Sequence, residues 1–431
     1  MTSSVDGLVS GLSTSTIINQ LMQLEAAPQT RLKKQVSAEQ TLQSNYQAVN
    51  ARMLAVRNAA ETLTSADTWN SVTVTSSSDA VSGVAGTGAL TGTATFDVVR
   101  TATRHVASSA VPQSGSLTTN GSLTVTVGNK ATSVAVTTDT AQGVADAINK
   151  ADLGVRATVL TTTTGSVLQF SGTGTGAAKA FTIDGLTSGT TVITQGADAL
   201  VTVGNPNAGG YQLTSADNNF TGLIPGVTVT VSKAATNVTV TADQNTAKLA
   251  DAMQSLVNAI NSAASDINNR SSYNATTKTS GALNGDPLVR GLRQSLLGQV
   301  SSGVEGLGSA AKLGVQLGRD GTVTFDRGKF LASLKEDPAA VKTAVQTKFA
   351  EGFRKTADAA TNTTDGKLTQ IIQGRDNVVR SLNKQIDDWD SRLADRKVAL
   401  QRQYTALETT LGKLKDQSTW LAGQLSSLSS S

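Results

Sequence analysis

The chain has no cysteine, one histidine, six prolines and 3% aromatic residues in 431 positions. Without cysteine there can be no disulfide scaffold, thiol catalysis, zinc finger or iron–sulfur cluster. A single imidazole, His105, excludes His-cluster metal sites and leaves one candidate base for any serine triad. Few aromatics argue against a stacking platform for single-stranded nucleic acid. The net charge of +4 and pI near 9.2 do not make a phosphate-binding stripe. Acids and bases interleave, as in Arg392-Leu-Ala-Asp395-Arg396-Lys397, which reads as a solvated helix face, so no nucleic-acid partner is expected. No run of about 18 apolar residues occurs, so no membrane span is expected. Met1-Thr-Ser-Ser-Val-Asp6 has neither a basic n-region nor an apolar h-region. The expectation is residence in the cytoplasm or export by a route that cleaves no leader.

Charge is also missing from the middle of the chain. Ser71–Val240 carries 15 charged residues in 170 positions, against 35 Thr and 24 Val, and no Glu occurs between Glu61 and Glu305. Thr and Val are β-branched and fit a pleated sheet, so this stretch is predicted β-rich. The flanks are richer in Ala, Leu, Gln, Lys and Asp, and are predicted helical. Thr93–Val99 is a strand candidate. Leu123–Val127 and Thr132–Val136 alternate around Gly128-Asn129, a hairpin turn pair. Thr140–Asn149 then places apolar residues four apart, a short helix capped by Thr140 or Asp139. Val155–Leu160, Val167–Phe170, Val227–Val231 and Val238–Val240 return to strand.

The flanks carry the clearest periodicity. Leu42, Tyr46, Val49, Met53, Val56, Ala60 and Leu63 step by four and three, a seam of period 3.5. Near the other end one heptad position is apolar eight times running: Val379, Ile386, Leu393, Leu400, Leu407, Leu414, Leu421 and Leu428. At 1.5 Å per residue the second seam is about 75 Å long and the first about 33 Å. The two should pair antiparallel, with Leu63 near Val379. The row from about Leu400 onward then lacks a partner of matching length. Ile17–Leu24 could supply one, but Pro28 interrupts any continuous helix there. A leucine gains about 1.5–3 kcal/mol only when buried, while each ordered backbone residue costs about 1–2 kcal/mol. Both chain ends are therefore expected to be unfolded in the monomer and to fold against other subunits. Thr246–Ile260 reads as an amphipathic helix capped by Thr246. Val315–Leu317 and Val323–Phe325 read as a hairpin around Asp320-Gly321, and Asp337-Pro338 as a helix boundary.

The fold class that follows is α+β and multidomain. An antiparallel coiled-coil leg and stem is built from both chain ends, with two β-rich head domains inserted between them. The expected division is an N-terminal leg at 1–40, a helical stem at 41–70 plus 242–400 with a hairpin near 313–326, and a C-terminal leg at 401–431. One head domain takes 71–114 plus 191–241, the other 115–190.

Catalytic constellations fail individually. Gly172-x-Gly174-x-Gly176 has GxGxG spacing and runs back into strand, so it reads as a turn rather than a dinucleotide loop. No GxxxxGK[ST] or GxSxG occurs. Asp387, Asp388 and Asp390 lie among Lys384 and Arg392 on a helix surface. Asp320 and Asp326 offer too few oxygen ligands for calcium. Asn-x-Ser/Thr sites, such as those starting at Asn120, Asn219, Asn237, Asn274 and Asn362, reflect the abundance of Thr as readily as glycosylation. No catalytic, cofactor-binding or metal-binding residue is expected, and no enzyme.

The start, Val5-Asp6-Gly7-Leu8-Val9-Ser10-Gly11-Leu12, followed by Ile17-Ile18-Asn19-Gln20-Leu21-Met22, Glu25 and Pro28, resembles bacterial flagellar filament cap proteins, the hook-associated protein 2 family. The likeness continues in order through Gly92–Val98, the Ala145-Asp-Ala-Ile148-Asn149 module shared with flagellins and hook proteins, Asn219–Thr228, Gly281–Asp286, Leu313–Val315 with Asp320-Gly321, and Leu414–Leu421. Ser13 stands where many members have Asp, and Arg100-Thr-Ala-Thr replaces a more apolar run.

The resemblance implies a structural cap at the distal end of the flagellar filament. Such a cap retains exported flagellin and promotes its folding and insertion. It implies secretion by the flagellar type III route without signal cleavage, a ring-forming homo-oligomer, and contact with flagellin and the hook–filament junction proteins. It also implies an export chaperone at the C-terminal helix and, in some members, host surface glycans. On this reading Asp6, Gly7, Leu8, Gly11, Leu12, Ile17, Ile18 and Leu21 form an export and assembly motif. Leu42, Tyr46, Val49, Met53, Val56, Leu63, Val379, Ile386, Leu393, Leu400, Leu407, Leu414 and Leu421 form the self-assembly seam. Another axial protein, such as a hook–filament junction component, or a surface adhesin is the alternative. Asp6–Leu12 discriminates against the first.

Overall fold

The computed structural model describes residues 11, 13–163 and 165–429. Two compact units divide the chain: Met1–Ser65 with Ala250–Ser431, and Ala66–Leu249. In chain order, α1 (Thr14–Glu25) and α2 (Ala27–Thr64) are followed by the single turn α3 (Ala66–Trp69). Pro28 stands in the first turn of α2, where its missing N–H has no intrahelical bond to lose. It starts a helix, and Ala26 is the sole break between α1 and α2.

The β-rich unit contains β1 (Val72–Ser76), β2 (Val81–Ala85), β3 (Gly92–Arg100), β4 (Arg104–Ala110), β5 (Ser122–Val127), β6 (Lys130–Ala135) and helix α4 (Ala141–Ala151). It continues with β7 (Val155–Thr162), β8 (Gly165–Thr175), β9 (Phe181–Asp184), β10 (Thr191–Thr194) and β11 (Ala199–Val203). It ends with β12 (Tyr211–Ser215), β13 (Asn219–Ile224), β14 (Val227–Val231) and β15 (Ala235–Gln244). Two cores form inside it. In the first, the sheet β1-β15-β3-β11-β12 and the sheet β13-β14-β2 bury Phe96, Val98, Val201, Phe220, Val229 and Val240. In the second, the sheets β10-β4-β8-β7 and β6-β5-β9, with α4, bury Leu123, Val125, Ile148, Leu168, Phe170 and Ile183. The alternation read in the sequence is what delivers these side chains to one face. The Thr140 hydroxyl caps α4 by accepting from Gly143 N at 3.1 Å. Gly128 takes the left-handed conformation that the β5–β6 turn requires, at φ 56°.

Strands β4 and β10 correct the expected division of the head. The sequence reading puts them with the first lobe, yet they pair with each other and β4 pairs with β8 of the second. The lobe change falls at Thr101–Thr103, where no glycine or proline marks it. There the Asn218 side chain accepts from Ala102 N at 2.6 Å, and Thr103 and Ala197 form an isolated bridge.

Beyond the head come α5 (Thr246–Ser271), the short ladder β16 (Tyr273–Asn274) and β17 (Thr279–Ser280), and α6 (Pro287–Ser301). The cap of α5 is Asn245, not Thr246; its Oδ1 accepts from Lys248 N at 2.9 Å. Next are the hairpin β18 (Val315–Leu317) and β19 (Val323–Phe325), α7 (Arg327–Glu336) and α8 (Pro338–Ala344). A π-helical turn, Val345–Phe349, leads into α9 (Ala350–Thr361) and then α10 (Lys367–Ser429), which is 63 residues long. Asp337 caps α8 by accepting from Ala340 N at 2.9 Å, with Pro338 as its first residue.

Candidate assembly surface

The two long helices, α2 and α10, run antiparallel, and their register is set by polar pairs. Arg375 Nη1 lies 2.7 Å from Glu39 and the Gln29 amide donates to Asp390 Oδ1 at 2.5 Å, while Arg396 Nε donates at 2.8 Å to Glu25 at the end of α1. Half-exposed ion pairs contribute about 0–1 kcal/mol each. Their effect is on which residue faces which. The C-terminal half of α2 lies instead against α9 and the π turn: Arg57 faces Asp358 at 3.6 Å, and Gln346 Nε2 donates to the Thr64 carbonyl at 3.2 Å. Leu63 therefore sits beside that turn and not beside Val379, which corrects the expected register. The reason is that α2 begins at Ala27. Its first turns meet α10 through Gln29 and Glu39, with Leu32 and Val36 half-buried between them, so no apolar row announced the helix.

Along α2 the expected seam is inside. Tyr46, Val49, Met53, Val56, Ala60 and Leu63 are buried and Leu42 is half-buried. Tyr46 is the polar member. Its hydroxyl donates to the Asp286 carboxylate, which also accepts from Leu288 N and Val289 N and so caps α6. Burial, reinforced by that carboxylate, pushes the Tyr46 hydroxyl up to about 12. Arg270 on α5 ties the same region together by donating to Asn45 Oδ1 at 2.6 Å and to Asp266 at 2.8 Å. Glu39, Asp286, Arg375 and Gln29 were not singled out from the sequence as register-setting residues. Their partners are hundreds of positions away and leave no periodic trace.

Along α10 burial declines toward the C-terminus. Val379 and Leu400 are buried, and Ile386 and Leu393 are half-buried. Near Leu400 the partner is α1, whose Ile18 is buried; Thr14, Ser15, Ile18 and Asn19 face Lys397, Gln401, Tyr404 and Thr405 across a cleft of about 200 Å³. Pro28 therefore does not prevent Ile17–Leu24 from covering part of the row. Past Thr405 the row is open: Leu407, Leu414 and Leu421 are 49%, 56% and 54% exposed, with Trp420 at 65% and Leu425 at 63%. On α1, Ile17 is half-buried, while Leu21 and Leu24 are exposed. Of the N-terminal motif, Gly11 is exposed with φ 71°, and Asp6, Gly7, Leu8 and Leu12 lie outside the described residues.

The one histidine belongs to the head's interior. His105 Nδ1 accepts from Gly196 N at 3.2 Å, its ring stands edge-on to Phe181 at 4.7 Å, and its Nε2 has no partner in the chain. Burial holds its pKa below the usual 6.5. The folded head therefore prefers the neutral ring, whereas the unfolded chain takes up a proton at about pH 6.5. Stability due to this group is complete above that value. It falls as pH drops below it, and levels off beneath the folded pKa. Melting of the β-rich unit should thus lose stability between about pH 7.5 and about pH 5.5 in the native chain and not in His105→Asn. Equal pH profiles for the two would sink the assignment. Asp79, Asp139 and Asp217, all held below 3.8 by hydrogen bonds, act only at lower pH.

Among the described residues no group of three or more His, Asp or Glu is placed to hold a metal. No described helix is long and apolar enough to cross a membrane.

Long helices from both chain ends, with an apolar row exposed on α10, and β-rich lobes inserted between them in the sequence define a multidomain α+β protein. A model of the flagellar hook-associated protein 2 C-terminus matches residues 196–416, and one of its N-terminus matches residues 10–105. The flagellar hook-associated protein 2 of Escherichia coli K12 is 26% identical over 99% of this chain and 98% of its own. That of Salmonella typhimurium is 26% identical over 67% of each chain. The crystal structure of the D1-D2-D3 domains of the Escherichia coli flagellar cap protein superposes with a TM-score of 0.57 at 23% identity, over 77% of this chain and 99% of that one. The chain belongs to the flagellar hook-associated protein 2 family. It is a structural protein of the bacterial flagellum. Secreted by the flagellar type III route, it sits at the distal tip, caps the filament and guides flagellin during assembly.

Proposed function

We propose that this chain caps mechanically, as a ring of identical copies whose α1 and α10 ends fold against neighbouring subunits. The observation that supports this is the change along one heptad position, from buried Val379 and Leu400 to exposed Leu407, Leu414 and Leu421. Within a lone subunit those leucines stay about half exposed, and helical stability in proteins comes mostly from packing of an apolar face rather than from propensity. In an assembly the same row meets a neighbouring surface and the helix gains its missing term. Subunit insertion and rearrangement of these ends then move the cap.

Hydrogen exchange tests it. In dilute monomer the amides of residues 14–25 and 405–425 should exchange nearly unprotected, and in rings or on filament ends they should slow by orders of magnitude. Strong protection in the dilute monomer would show that one chain satisfies its own row.

The same open face suits an export chaperone before secretion. On this reading the chaperone covers Leu407–Leu425 and competes with ring formation. The hook–filament junction proteins are the seat on which the first ring rests. Binding of host surface glycans by the head is a separate proposal, decided by whether the full chain is retained on mucin.

A further inference from the structure

A cleft of about 860 Å³ opens in the second lobe of the head. Two unpaired strand edges contribute to its wall. Strand β9 is the outer strand of β6-β5-β9, and β10 is the outer strand of β10-β4-β8-β7. Phe181 and Thr182 come from β9, Val192 from β10, and Gly128 and Asn129 from the β5–β6 turn. Edge strands are normally blunted by charge, proline, short length or a bulge, and β10 is four residues long with a register shift between Val192 and Thr194. Strand β10, Thr191-Val-Ile-Thr194, has neither charge nor proline, and its Val192 and Ile193 are 50% and 59% exposed.

The cleft's polarity narrows what fits. None of its lining residues is Asp, Glu, Lys or Arg. Its polar groups are hydroxyls of Thr126 and Thr182, amides of Asn129 and Gln195, and His105. Because Nδ1 of His105 accepts from Gly196, the neutral ring carries its proton on Nε2, a donor that the chain leaves unanswered. An uncharged lining and spare backbone groups on two edges suit a neutral extended polypeptide, whose amides pair with an edge while alternate side chains meet Val192 and Phe181.

We propose that this cleft binds an uncharged extended segment by strand addition to β10 or β9, and that the segment belongs to flagellin held unfolded under the cap. The identity of the polypeptide, though not the site, rests on the capping role. A charged ligand would lose its hydration without gaining a counter-ion there.

The test uses the full chain and Val192→Lys/Ile193→Lys, an exposed pair whose replacement leaves both cores untouched. The probe is a labelled ten-residue peptide of alternating Thr and Val, a version with Lys and Glu, and denatured flagellin fragments. The neutral peptide and flagellin fragments should slow exchange of β9 and β10 amides, the charged version should not, and the double variant should bind at least tenfold more weakly. In cap-deficient cells the double variant should grow shorter filaments at unchanged ring formation. No protection of β9 or β10 by either neutral probe overturns the site. Protection that appears with rising protein concentration and no peptide also overturns it, by giving the edge to a second copy. If the native chain fails to restore filaments, the capping role falls, and the peptide measurement still decides the site.

Discussion

A chain ending at Leu400 is expected to fold its head and fail to cap. The truncation leaves both head cores intact, since their last buried member is Ala242. It also keeps the polar pairs Glu39–Arg375, Gln29–Asp390 and Glu25–Arg396. What it removes is Leu407, Leu414, Trp420, Leu421 and Leu425, the exposed row on α10. Each of those leucines is worth about 1.5–3 kcal/mol when a neighbour covers it, repeated at every subunit of a ring. Cells lacking the chain altogether should be non-motile and should shed monomeric flagellin into the medium. Cells with the truncate should do the same, although its head melts at the native temperature. Immunoblotting of flagellin in culture supernatant, with swimming in soft agar, reads the outcome. A truncate that restores full filaments would remove the open row from the mechanism.

The heptad row was legible in the sequence because burial and period coincide: Val379, Ile386, Leu393 and Leu400 face inward to differing degrees, and the row continues unbroken past the last cover. The strands of the head were legible for the same reason, with Leu123, Val125, Phe96 and Val98 alternating against Thr and Asp. Register was not. It is set by Gln29 with Asp390 and Glu39 with Arg375, single polar contacts between distant positions that no local pattern encodes. Helix α2 before Leu42 was missed because its contacts with α10 are largely amide and carboxylate. The lobe boundary was displaced because the chain changes sheet at Thr101–Thr103 without a turn residue. Nothing in Arg104-His105-Val106 announces that the ring is buried with its Nε2 unanswered.

Two phenylalanines test whether the units are also separate in stability. Phe170 on β8 and Phe353 on α9 are both fully buried, the first in the second head core and the second edge-on to Phe349 at 5.2 Å. Truncating either to alanine removes a ring's contacts and leaves a cavity that the surroundings fill only in part, a loss of about 3–5 kcal/mol. For a unit of this size, about 2–4 °C per kcal/mol puts the shift near 10 °C. Calorimetry of Phe170→Ala should lower the transition of the β-rich unit by that amount and leave the helical one in place. Phe353→Ala should do the reverse. The division at Ser65 and Leu249 predicts this independence, because Phe170 packs in the second head core and Phe353 against Phe349, each inside its own unit. Equal displacement of every transition by either variant would mean that the chain unfolds as one cooperative body. The head could then no longer be treated as a fold that survives loss of the C-terminal row, and the truncation result would have to be read as global unfolding.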